Sequence, residues 1–99
     1  MRLTAEQANT IRQLAAQVAG ESARVWLFGS RVRDSARGGD VDLMVELVHP
    51  VDEPAPLAAR LAALVSRSMQ GRKVDVLIKA PNLLLLPVHQ VAMEQGVLL

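Results

Sequence analysis

Apolar and polar positions alternate along this chain with two different periods, and each change of period marks a new element. Thr4-Ala5-Glu6-Gln7 reads as a capping box, and Ala8, Ile11, Ala15 and Val18 then fall on one face at helical spacing up to Gly20, a natural helix stop. Arg24–Phe28 is short, apolar and rich in strand formers, and it ends abruptly at Gly29-Ser30, so a strand is expected. Residues 31–37 are polar, a short helix or loop, punctuated by Gly38-Gly39. Residues 40–48 open with strict alternation: Asp40, Asp42 and Met44 on one face, Val41, Leu43 and Val45 on the other.

Residues 49–56 form a turn-rich connection, with Asp52 and Glu53 placed to complement the dipole of a helix over 57–70 whose first position is Pro56. That helix carries Leu57, Leu61, Leu64 and Val65 toward a core, and Gly71 closes it. Residues 73–79 make a further strand, with Val74, Val76 and Ile78 on one face and Asp75 and Leu77 on the other. Residues 81–86 read as loop or buried turn, Pro87–Gln95 as a last helix capped by Gly96, and 97–99 as a terminal extension. The order predicts an α+β fold of two layers, helices packed on a small mixed sheet, in one domain over 1–99.

Composition narrows the function. At 99 residues and 51% hydrophobic the chain can bury one core, built from aliphatics because aromatics are 2%. Met44 and Met93 are expected to fill that core, and the Leu-rich run 83–86 to be core or a subunit contact, as in a homo-oligomer. Cysteine is absent, which excludes disulfides and thiolate metal sites. No segment reads as a leader or a membrane span, so a soluble cytoplasmic protein is the expectation. A formal net charge of +1 argues against grip on a nucleic-acid polymer. The cations cluster instead at Arg31, Arg33 and Arg37, and at Arg67, Arg72 and Lys73, which suits a small anionic ligand. His49 and His89 lack metal-ligand spacing and read as structural or surface residues.

Three acids carry the chemistry. Residues two apart on a strand point the same way, roughly 6.5–7 Å apart, so Asp40 and Asp42 converge. Bare carboxylates so placed repel; a divalent cation such as Mg²⁺, which prefers carboxylate, phosphate and water oxygens, removes the conflict. Asp75, if its strand lies beside theirs, completes a three-carboxylate cluster. Gly29 and Ser30 supply a tight turn whose amides and hydroxyl can cradle phosphate, with Arg31 and Arg33 as candidates to neutralise its charge. As single residues, Arg33, Arg37 and Arg72 read as solvated surface charges sooner than as ligands, while Arg31, adjacent to Ser30, reads equally as either.

The strings Phe28-Gly29-Ser30, Asp40-Val41-Asp42-Leu43 and Val74-Asp75-Val76 resemble the minimal nucleotidyltransferases, relatives of DNA polymerase beta and of the aminoglycoside nucleotidyltransferases. The resemblance covers nearly the whole chain; the spacer over 31–39 is slightly short, and Asp34 stands where glycine is common. It implies a nucleotidyltransferase fold in which Gly29 and Ser30 hold the outer phosphates of a nucleoside triphosphate, ATP above all. It implies also that Asp40 and Asp42 bind two Mg²⁺ ions, with Mn²⁺ as a substitute. Asp75 would help hold the catalytic metal and draw the proton from the attacking hydroxyl. Larger relatives carry a further domain for the acceptor; this chain has no room for one, so a partner or second subunit would supply the hydroxyl. In the minimal family that partner is often a helical HEPN-type toxin, which the nucleotidyltransferase modifies as its antitoxin. The alternative is a silent binding module that neutralises its partner by contact. An Asp-x-Asp glycosyltransferase would need a larger fold.

Overall fold

The computed structural model describes residues 3–29 and 41–99. Helix α1 (Ala5–Ala19) starts at the capping box the sequence announces: the Thr4 hydroxyl accepts from the Gln7 amide at 3.0 Å, and the Gln7 side chain accepts from the Thr4 amide at 2.9 Å. Strand β1 (Arg24–Phe28) follows, then β2 (Val41–Glu46), α2 (Pro54–Ser68), β3 (Val74–Lys79), α3 (Pro87–Gln95) and β4 (Val97–Leu98). The sheet order is β3-β2-β1-β4, with β2 and β3 parallel and the other two pairs antiparallel. Helix α2 is the crossover that a parallel pair requires.

One face of the sheet is apolar and covered by α1 and α2. Val25 and Leu27, then Val41, Leu43 and Val45, then Val74 and Ile78 meet Ile11, Ala15 and Ala19 of α1 and Leu61 and Val65 of α2. Each valine, leucine or isoleucine so buried is worth about 1.5–3 kcal/mol, which makes this layer the main source of stability. Alternation sends Trp26, Phe28, Asp42, Met44, Glu46, Asp75, Leu77 and Lys79 to the other face. Met44 is nonetheless fully buried, as is Ala92 of α3, and both lie outside the cluster formed with α1 and α2. Helix α3 packs on β1, and its His89 reaches the Ile78 carbonyl of β3.

Some expectations shift. Helix α2 begins at Pro54, not at 56–57, because Pro54 and Pro56 both fit a first turn whose N–H groups have no helical partner. It ends at Ser68, and Gln70 (φ 60°) and Gly71 (φ 81°) turn the chain into β3. The terminal extension is a strand, β4, too short to show a period in sequence. Met93 is exposed rather than core, and of the leucine run Leu83 is half-buried while Leu84, Leu85 and Leu86 face outward. His89 is structural and buried: its Nδ1 accepts from the Leu86 amide at 2.9 Å, so its Nε2 proton points to the Ile78 carbonyl at 3.0 Å. The polar segment over 31–37 and Gly38-Gly39 lie outside the described residues.

Candidate functional site

The parallel register of β2 and β3 sets Asp42 directly beside Asp75. Adjacent strands are about 4.8 Å apart, so the two carboxylates project from neighbouring positions on the same face. Asp42 is half-buried and Asp75 exposed, which leaves the pair open to a ligand arriving from solvent. On the other side of β2, Asp42 is paired with Phe28, the last residue of β1, and Gly29 follows directly. Gly29 takes φ 76°, in the left-handed region that favours glycine, and a Cβ there would run into the Asp42 carboxylate. The end of β1 is thus pressed against one of the acids. A phosphate held on that turn would sit next to a carboxylate-bound cation, since the donor set suits a hard divalent metal.

Of the residues singled out in sequence, the structure brings together Gly29, Asp42 and Asp75. Asp40, Ser30, Arg31, Arg33, Arg37 and Asp34 lie outside the described residues. Among the described residues no group of three acidic, His or Cys side chains stands ready for a metal; Asp42 and Asp75 make two. The second cationic cluster sits where α2 turns into β3, with Arg72 half-buried and Arg67 and Lys73 exposed.

Farther along the same face is a polar group that sequence reasoning missed. The Glu46 carboxylate accepts from the Trp26 indole N–H at 3.2 Å and pairs with Lys79 at 3.3 Å. Glu46 is four residues from Asp42 along β2, about 13 Å, so this group ties three strands together at the opposite end of the sheet and does not touch the acids. No spacing could have signalled it: Lys79 is the register partner of Glu46 on β3, while Trp26 pairs with Met44 and reaches Glu46 diagonally, and the three lie far apart in sequence.

No described helix is long and apolar enough to cross a membrane. None of the curated proteins compared with the chain matches it. The family model for the nucleotidyltransferase domain, in contrast, matches residues 8–97, from the first helix through the pairing of β4. A match over that much of its length shows that the chain belongs to the nucleotidyltransferase domain family.

Proposed function

We propose that this nucleotidyltransferase moves AMP from ATP to a hydroxyl on a partner protein, in the manner of an antitoxin acting on a HEPN-type toxin. The observation that carries the reading is the in-register pairing of Asp42 and Asp75, with the end of β1 against the Asp42 carboxylate. Asp40, Asp42 and Asp75 are the residues that would hold Mg²⁺, and a bound ion would neutralise the triphosphate and polarise it for attack. Gly29 and Ser30 bind the outer phosphates through the turn, and Arg31 and Arg33 offset their remaining charge.

The reaction balances simply. The acceptor oxygen attacks the α-phosphorus, the bond from that phosphorus to the bridging oxygen breaks, and pyrophosphate leaves. Asp75 takes the hydroxyl proton in this reading, which its exposure, greater than that of Asp42, supports, because a group that meets the acceptor must be reachable from outside. Asp42, tucked against Gly29, serves the nucleotide side.

Asp75→Asn separates these roles. The variant should keep most of its affinity for Mg·ATP and lose at least about 10²-fold in transfer rate, the low end for a positioned base. Label transfer from α-labelled ATP to the co-purified partner, run beside a binding titration, reads both. Normal transfer by the variant removes Asp75 from the mechanism. Neutralisation of the partner by a wild type that transfers no label would favour action by contact.

A further inference from the structure

The cations where α2 turns into β3 are divided by the pleat of the strand. The Lys73 carbonyl accepts from the Val41 amide at 3.0 Å, so the ladder between β2 and β3 continues one residue ahead of Val74. Val74 and Ile78 lie in the core under the helices, and alternation from them sends Lys73 to the other face, with Asp75 and Leu77. Arg72 keeps to the helix side, where it lines a cleft with Gln7, Ser68 and Met69. Arg67 belongs to the last turn of α2, which covers that same side. Of the three, only Lys73 shares the face of the acids. Residues two apart on a strand are roughly 6.5–7 Å apart, so Lys73 stands one pleat from Asp75, and both are exposed.

What a cation can do there follows from how a triphosphate would lie. With the outer phosphates on the Gly29 turn after β1 and the attacked phosphorus beside Asp75 on β3, the phosphates cross β2, which lies between those strands. The α-phosphate is then the one at the Lys73 end. Charge shifts among the oxygens around that phosphorus during transfer, and a fixed cation aimed at them helps the transition state more than the ground state. We propose that the Lys73 ammonium donates to a non-bridging oxygen of the α-phosphate and so assists the transfer step. A lysine fits this task, since its compact charge rides on a flexible four-carbon stem that can reach from the neighbouring pleat. The assignment rests on the transferase reading and adds a residue to it. Its balance is unchanged: the acceptor oxygen bonds to phosphorus, the hydroxyl proton goes to Asp75, and pyrophosphate leaves with the electron pair of the broken bond. Lys73 keeps its proton throughout.

The test compares Lys73→Met and Lys73→Arg with Lys79→Met, which removes the same charge from the same face at the far end of β3. Label transfer from α-labelled ATP to the co-purified partner and titration with Mg·ATP are read for each. Lys73→Met should lose about 10²-fold in transfer rate, the low end for one donor aimed at a reacting group. Its Mg·ATP affinity should fall by less than about fivefold, as for an exposed ion pair. Lys73→Arg should recover most of the lost rate, and Lys79→Met should transfer as wild type does. Equal transfer by wild type and Lys73→Met overturns this role and leaves the transferase reading standing. So does an equal loss in Lys79→Met, which would trace the effect to net charge, or an affinity loss as large as the rate loss, which would mark ground-state binding. Loss of the native circular dichroism in Lys73→Met would overturn it as well, by making the lysine a structural residue. A wild type that binds Mg·ATP yet labels no partner removes the reaction itself, and this role with it.

Discussion

Gly29 answers two demands at once. Its φ of 76° penalises any L side chain by about 1–2 kcal/mol, and the space where a Cβ would go is already taken by the Asp42 carboxylate. Gly29→Ala must therefore strain the turn or push Asp42 aside. It should lose roughly 1–3 kcal/mol of stability in denaturant titration, and Mg·ATP affinity should fall along with it. If Gly29→Ala is as stable as wild type, the turn and the acid do not meet as described. At this scale the sequence was most informative where a residue type has few physical uses. A glycine ending a strand, and acids alternating with valine and leucine, left little choice. Met93 was misread because methionine packs in cores and on contact surfaces alike, and nothing in its neighbours says which.

Among the elements, α3 depends on one imidazole. Among the described residues no strand lies beside the outer edge of β3, and the register directs the Ile78 carbonyl to that side; His89 donates to it while accepting from the Leu86 amide at the start of α3. A single buried ring thus closes the sheet edge and caps a helix. His89→Ala leaves both backbone groups without that partner and opens a gap, so a loss of about 2–4 kcal/mol is expected in thermal or chemical unfolding. A loss below about 0.5 kcal/mol, the size of an ordinary surface change, would mean the ring is dispensable. None of this was legible beforehand, since a histidine at helical spacing shows nothing of the carbonyl it will reach. The capping box of α1, by contrast, is a local pattern and was read in full. The start of α2 was missed by a few residues because two prolines compete for the first turn, and either satisfies the local rule.

For the whole molecule, the α+β class, the number of major elements and the apolar layer followed from periodicity, because burial of one sheet face dictates it. Strand order did not follow, for no local pattern says that β1 sits between β2 and β4. Nor did β4 itself, which exists only by its pairing with β1. The folded domain is the only form that holds the acids together, so ligand binding must raise its stability. Mg·ATP at about 100 times its dissociation constant should add about 2.7 kcal/mol. For a domain this size that is a rise of roughly 10–20 °C in Tm. ATP with excess EDTA should give little of it. A similar rise with the chelator present would show that the nucleotide binds without metal, and the acids would need another explanation.

The parallel pairing of β2 with β3 has a consequence for accuracy. Were β3 to slide by one residue, Asp75 would swing under the helices and Val74 would face water. A carboxylate driven among Leu61, Val65 and Leu43 without a partner costs several kcal/mol, and the valines that should be there lose their burial as well. The misaligned sheet is thus rejected by its core before any substrate arrives. The chain needs no separate device to check the spacing of its acids, because the oily side of each strand proof-reads the charged side.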